Sequence, residues 1–580
     1  MSSPTLRSAM RRHFGVDLRE ILSQVIGTPS KVPETQKCLT NFHDSTSHKI
    51  IMVSMILKLL LLTTAGAAFS VSPRQTTAPI IDLGYAQYQG VFDPNTNVTN
   101  FRGVRYAAAP TGDLRWRAPQ TPSSVSGVQQ ATTDPAPCPQ ASNGVSPTNP
   151  NENSLEKRQA PTESEDCLFL NVAFPGSDIP AQGLPTVVWI HGGGYIRGNA
   201  TQFQASDLVR EANNGVVVVV IQYRLGLFGF LSGNEVKKNG VLNAGLLDQN
   251  FALRWVHDHI SKFGGDPTKV TIWGQSAGAG SVLQHVIAED GQTSPQLFRG
   301  AIASSTFLPS QYDFNDTIPE TLFNEVVSQT NCSLSTDTLR CLRAASSSVL
   351  QAANMNINLA GFFGTFVFVP VIDGTFITRR ATEALSQGNL NGQALMAMAN
   401  TNEGVNYVNQ SAPANVTSFA GLLFPKFGPE QEATVTQLYS EQGTQLDQEN
   451  RVVAEVIFIC PTYFIANAFG NRSFKGQFAV PPALHGDDVN YYFPTGRTPS
   501  FNNTDFQKAL SESYLAFVIS LDPNAKFDSN ITPEWNKFSD GQSEMLFNKT
   551  SANAPDVRVI TTDQALLERC RCVRPNSRDY

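Results

Sequence analysis

The sequence predicts an α/β domain organised around a large, mostly parallel sheet flanked by helices, and three features carry that reading. Short apolar runs bounded by glycine and proline alternate with amphipathic stretches, the order expected of strands and crossover helices. The clearest runs are continuous and β-branched, as in strands covered on both faces. Between two of them the apolar residues recur at helical spacing.

In chain order, the first clear strand is 186–190 (TVVWI), followed by 216–222 (VVVVVIQ). Residues 246–263 read as a helix, because Leu247, Phe251, Leu253, Trp255, Val256 and Ile260 fall at helical intervals. A third strand, 270–273 (VTIW), leads into a glycine-bounded turn and the helix-like 279–288. Further on, 366–372 is strand-like and 394–399 (ALMAMA) is an apolar strand. A polar, proline-rich loop covers 142–164 and carries the dibasic pair Lys157-Arg158. No internal repeat is visible, and 73–580 reads as one domain with loop insertions.

Composition narrows the class. Of 580 residues, 41% are hydrophobic and 16% charged, too apolar for a disordered chain. The net charge is −7; residues 1–72 hold eight basic and four acidic side chains, so 73–580 carries −11. A surface of that sign repels phosphate backbones, and no block of Lys and Arg reverses it, so nucleic acid is not an expected partner.

The beginning of the chain is unusual. Residues 56–69 combine a lysine (Lys58), a short leucine-rich core and small residues ending at Ala67-Ala68-Phe69, the pattern of a secretory signal peptide. It lies some 50 residues inside the chain, directly after Met52 and Met55. The reading is therefore a signal at 52–72 translated from one of those methionines, with 1–51 a doubtful extension from a wrong start or an alternative transcript. The rival is a signal anchor spanning 50–69, which would hold Lys58 mid-span at a cost of ~3 kcal/mol. Ten N-x-Ser/Thr sequons follow, at Asn97, Asn199, Asn315, Asn331, Asn409, Asn415, Asn471, Asn502, Asn530 and Asn548. Seven of eight cysteines also follow, and Cys332 and Cys341 are spaced for a small disulfide loop. Export to an oxidising, extracellular compartment is the expectation.

The chemistry is concentrated after 270–273. Gly274-Gln275-Ser276-Ala277-Gly278 is a G-x-S-x-G turn between a strand and a helix, a setting that exposes a strained serine hydroxyl. Such a nucleophile needs a general base. His13, His43 and His48 precede the signal; His257 and His259 lie on the helix before the turn; His191 opens a glycine run; His285 is only nine residues past Ser276. In this motif's chain order the acid falls between serine and histidine, which leaves His485, in Leu484-His485-Gly486-Asp487-Asp488. The acid should follow an apolar strand, which favours Glu403, just after 394–399. Asp373, after 366–372, is the rival, although Asp373-Gly374 has the look of a turn. For the developing oxyanion, His191-Gly192-Gly193-Gly194-Tyr195 follows 186–190 and pairs with the amide of Ala277.

Taken together these residues resemble the type-B carboxylesterase/lipase family of α/β-hydrolases, over about 79–572. The resemblance also rests on EDCLFLNV (165–172), YRLGLFGFL (223–231), the long stretch 243–281 and LHGDDVNYYF (484–493). It implies an α/β-hydrolase fold for 73–580, a triad of Ser276, Glu403 and His485, and an oxyanion hole of Gly193, Gly194 and Ala277. It further implies disulfides Cys138–Cys167 and Cys332–Cys341, with Cys460 meeting Cys570 or Cys572. Three departures stand out. Gln275 occupies a position where the family usually has Glu. The Cys138–Cys167 loop lacks Trp, which leaves a cation site there unsupported. The residues after Cys572 are basic and polar, not the apolar tail of a glycolipid anchor.

The expected function is thus a secreted serine carboxylic ester hydrolase, with no cofactor and no metal, since no metal-ligand spacing is present. Its partner is a small-molecule or lipid ester. Phe supplies 36 of the 54 aromatic residues, and 361–370 (GFFGTFVFVP) could equally wall an acyl pocket or form a buried strand. The Cys138–Cys167 loop corresponds by resemblance to the lid of fungal lipases, but it is polar and proline-rich. That favours soluble or moderately hydrophobic esters over the runner-up, a lipase or sterol esterase working at a lipid interface. The reading from a different class is a binding module of the same fold without catalysis. Oligomeric state is not legible from the sequence.

Overall fold

The computed structural model describes residues 78–148 and 163–572. The expected extension and signal segment and the dibasic pair at 157–158 lie outside the described residues.

An eleven-stranded sheet forms the centre. Its strands are β1 (Val91–Asp93), β2 (Val98–Arg105), β3 (Phe169–Pro175), β4 (Leu184–Ile190), β5 (Val217–Ile221), β6 (Gly265–Gln275), β7 (Gly300–Ser304), β8 (Ala394–Asn400), β9 (Ser473–Phe478), β10 (Ser543–Lys549) and β11 (Pro555–Thr561). Their spatial order is β11-β10-β9-β8-β7-β6-β4-β5-β3-β2-β1. Every neighbour pair from β10 across to β5 is parallel, and both margins are antiparallel. This is the α/β-hydrolase arrangement, a large, mostly parallel sheet with helices packed on it. A small separate sheet joins Ile80–Asp82, Gln87–Gln89 and Val128–Gln130.

The unbroken apolar runs have a direct explanation. Side chains alternate between the faces of a strand, and here both faces are covered. Val188 and Ile190 enter one core with Leu253 and Val256 of α2 (Ala244–His259) and Val282 and Leu283 of α3 (Ala277–Ile287). Val187 and Trp189 enter the other, with Leu208 and Val209 of α1 (Ala205–Glu211) and Leu510 and Tyr514 of α5 (Thr504–Ser520). Cys460 begins α4 (Cys460–Phe469) and is disulfide-bonded to Cys570; the other bridges are Cys138–Cys167 and Cys332–Cys341. Among the described residues Cys572 has no disulfide partner, and it is exposed.

One expected element is absent. Residues 366–372 form no strand; Ile372 alone makes an isolated bridge, to Asp313. Pro370 has no N–H to give a ladder, and the neighbouring backbone is engaged by loops instead: Gly144 N–H donates to Thr365, Phe363 N–H to Ser146, and Val371 N–H to the Asn243 side chain.

The strand order also locates the crevice. β4 stands between β5 on one side and β6 on the other, so the chain reverses its direction of winding there, and the carboxyl ends of β4 and β6 lie side by side. In open parallel sheets that is where ligand clefts form.

Candidate active site

Four segments converge at the carboxyl ends of neighbouring parallel strands. Residues 191–195 follow β4, Ser276 follows β6, Glu403 lies just after β8, and His485 comes after β9. Ile190 pairs with Gly274 in the β4–β6 register, so the glycine run and the serine turn emerge adjacent to each other.

Ser276 sits at φ 60°, ψ −127°, an unfavourable conformation for a residue with a Cβ. Its neighbours hold it there: its N–H donates to Ser304 at 3.0 Å and its carbonyl accepts from Gly280 at 2.8 Å. The turn is tight because Gly278 lacks a side chain; a Cβ there would stand 2.0 Å from the Ile190 carbonyl oxygen. α3 can therefore start immediately, with Ala277 as its first residue, and the first N–H groups of a helix have no intrahelical acceptor. Across from it Gly194, at φ +64°, lies so close to the Phe366 ring that a Cβ would be 2.0 Å from it.

His485 and Glu403 are brought together by pairing between their own loops. Asn402 bridges to Leu484, Asn402 N–H donates to Ala483 at 2.9 Å, and the Asn400 side chain donates to Leu484 at 2.6 Å. Glu403 is fully buried; Oε2 accepts from His485 Nδ1 at 2.5 Å and Oε1 from the Asn400 N–H at 2.6 Å. The imidazole is held between Phe458, with ring centroids 4.4 Å apart, and Tyr407, edge-on at 5.3 Å. Its Nε2 faces the Gln275 amide nitrogen at 3.2 Å. Burial raises the pKa of the Tyr407 phenol, and the nearby Ser276 hydroxyl acts weakly in the other direction. Below His485, Asp488 is enclosed and accepts from Tyr492 at 3.0 Å and Asn400 at 3.2 Å; burial pushes its carboxyl up to about 6.

The other candidates are elsewhere. Asp373 organises a turn, accepting from the N–H groups of Thr375 and Phe376 and from the Asn243 side chain at 2.6 Å. His285 is buried against Gln249 at 3.0 Å, and desolvation pulls it down to about 3. His191, also buried and drawn down to about 4, stacks on Tyr223 and hydrogen-bonds the Gly192 carbonyl at 2.9 Å, so a neutral ring props the glycine run.

Two chambers adjoin this cluster. One, of about 170 Å³, is apolar and walled by Phe307, Phe366, Tyr407, Leu423, Ile457 and Phe458. The phenylalanine-rich 361–370 thus lines a cavity and is not a strand. The other, of about 360 Å³, lies on the Gln275 face of His485 and is the more polar of the two, with about half of its wall polar. Sequence reasoning missed Tyr407 and Phe458. Tyr407 lies four residues beyond Glu403, at the end of a single 3-10 turn (Val405–Tyr407) with no sequence pattern, and Phe458 belongs to an apolar helical segment indistinguishable from core.

The carboxylesterase family model matches residues 77–566. Secreted lipase 1 of Botryotinia fuckeliana is 29% identical over 514 residues, covering 80% of this chain and 88% of that protein. Carboxylesterase patB of Aspergillus clavatus is 30% identical over 529 residues, covering 82% and 92%. Among solved structures, Aspergillus niger EstA superposes with a TM-score of 0.75 at 29% identity, covering 86% of this chain and 98% of that one.

Proposed function

Because the chain belongs to the carboxylesterase family and is a carboxylic ester hydrolase, we propose that it works through an acyl-enzyme on Ser276, with His485 as proton carrier and Glu403 as its orienting carboxylate. The observation that carries this is the His485–Glu403 contact of 2.5 Å beside a serine held at a strained strand–helix turn. A buried carboxylate on Nδ1 fixes the tautomer that leaves Nε2 as acceptor and stabilises the imidazolium.

In the resting site His485 Nε2 is engaged by the Gln275 amide. Reaction begins when Nε2 exchanges that amide for the serine hydroxyl. Ser276 Oγ then attacks the ester carbonyl as its proton moves to His485, and the amides of Gly193, Gly194 and Ala277 receive the oxyanion. Collapse breaks the carbonyl–alkoxide bond, His485 returns the proton to the leaving alcohol, and water repeats the sequence on the acyl-enzyme. The apolar chamber takes the acyl chain.

Substrates on this reading are soluble or moderately hydrophobic esters. Long-chain lipid hydrolysis is the second reading, favoured by the phenylalanine- and leucine-lined cavity and by relatives named as secreted lipases. Export through 52–72 fits three disulfides. It also fits ten sequon asparagines of which six are exposed, four half-buried and none in the core.

The test is hydrolysis of p-nitrophenyl esters from acetate to palmitate by secreted protein and by Ser276→Ala. Loss of turnover by several orders of magnitude in the variant, with secretion intact, is expected. Undiminished turnover would overturn the nucleophile, and a long-chain optimum sharpened by an oil–water interface would favour the lipase reading.

A further inference from the structure

We propose that the polar chamber beside His485 binds an anionic group carried by the alcohol half of the ester, so that preferred substrates join an apolar acid to a negatively charged alcohol. This rests on the acyl-enzyme reading above and names its substrate class.

The two chambers differ in chemistry. The alcohol oxygen must be within reach of His485 Nε2 to be protonated as it leaves, and Nε2 faces Gln275. His485 and Gln275 line the polar chamber, together with Gly192 and Gly193; neither lines the apolar one. The leaving group therefore occupies the polar side, and the acyl group the aromatic side.

That polar side is cationic. Arg197 and Arg497 both line it, and among the described residues its lining includes no Asp or Glu. Each arginine is held by backbone: Arg197 N–H donates to Gly193 at 3.1 Å, and Arg497 N–H to Pro494 at 3.0 Å. Their guanidinium groups meet neutral acceptors. Arg197 Nη1 donates to Asn143 Oδ1 at 3.3 Å, and Arg497 Nη2 to the Gln202 carbonyl at 2.9 Å, with its guanidinium stacked over Phe203. Among the described residues neither arginine forms an ion pair, and no described carboxylate compensates either charge. Glu403, the carboxylate of the site, lies beyond the imidazole and is engaged by His485 and Asn400. Gln275 contributes an amide and no charge. Two planar cations in a concave polar wall present fork geometry suited to a carboxylate, sulfonate or phosphate.

The experiment compares kcat/KM of the secreted protein for 4-butyryloxybenzoate, 4-butyryloxybenzenesulfonate and the neutral 4-butyryloxybenzamide, each divided by its alkaline hydrolysis rate. Preference for the anions by about tenfold, expressed mainly in KM and weakening as salt is added, is expected. Preference for benzoate alone would narrow the ligand to a carboxylate; preference for both anions would make charge the determinant. Arg197→Gln with Arg497→Gln should abolish the ratio and lysine at both positions should restore part of it. The ratio within one variant is independent of how much protein folds. Neutral and anionic esters hydrolysed equally well, or a preference untouched by the arginine pair, would overturn this proposal and leave the acyl-enzyme reading standing. No turnover of any ester would overturn that reading, and this one with it.

Discussion

Gln275 presents its side-chain nitrogen to His485 Nε2 at 3.2 Å, one residue before the serine turn. The amide can only donate there, so Nε2 accepts and the ring proton lies on Nδ1, toward Glu403. The glutamine thus fits the tautomer that Glu403 fixes, without adding charge to the imidazole.

Gln275→Glu should change the pH profile. A carboxylate at that distance favours the imidazolium, so the acid limb of kcat/KM should move upward by about one pH unit. Rates for a neutral p-nitrophenyl ester between pH 5 and 9 measure this. An unmoved or lowered limb would mean that the side chain at 275 does not act on the imidazole.

Tyr407→Phe removes the phenol near the Ser276 hydroxyl and keeps the ring that lies edge-on to His485. On the acyl-enzyme reading the phenol takes no part in proton transfer, so kcat should stay within about tenfold, the scale of one net hydrogen bond to a neutral group. Single-turnover kinetics would report it. A hundredfold loss would show that the phenol takes part in the reaction.

Asp488 makes stability fall with rising pH. Its carboxyl is pushed up to about 6 by burial, against 3.8 as its ordinary value. Between those values the folded chain keeps a proton that the unfolded chain has lost, so each step upward in pH favours unfolding, by up to about 3 kcal/mol in all. The penalty is absent below pH 3.8 and complete above 6. Asp488→Asn should therefore raise the melting temperature at pH 8 and lose that advantage near pH 4. An advantage that does not vary with pH would remove the titration argument.

Ile457 lines the apolar chamber from the segment that also supplies Phe458. Ile457→Trp should shorten the acyl optimum, with octanoate esters losing more kcat/KM than acetate esters, by about tenfold. Equal losses across the ester series would place the acyl chain elsewhere.

Much of this was legible locally. The glycine-bounded serine, the histidine-led glycine run and Glu403 each follow an apolar strand, and burial on both faces writes such strands into the sequence as unbroken Val, Ile and Ala runs. Where composition and backbone chemistry disagree, local reading fails. The residues 366–372 are rich in Phe and Val, yet Pro370 and loop partners keep them out of any ladder and leave them walling a cavity. Cys460 could meet either of two cysteines two residues apart; packing of the last helix, Gln564–Cys572, selected Cys570.

The sequence by itself determined the family, the strand–turn–helix around Ser276, and the short set of residues able to serve as base and acid. Tertiary structure alone decided what surrounds them. Tyr407 and Phe458 on His485, and Arg197 facing one chamber with Arg497, are separated by tens to hundreds of positions in the chain. They meet because the parallel order of β4, β6, β8 and β9 brings the loops after those strands to one edge of the sheet. Side-chain pattern dictates which residues form a strand; which strand ends become neighbours follows from packing the whole sheet between its two cores.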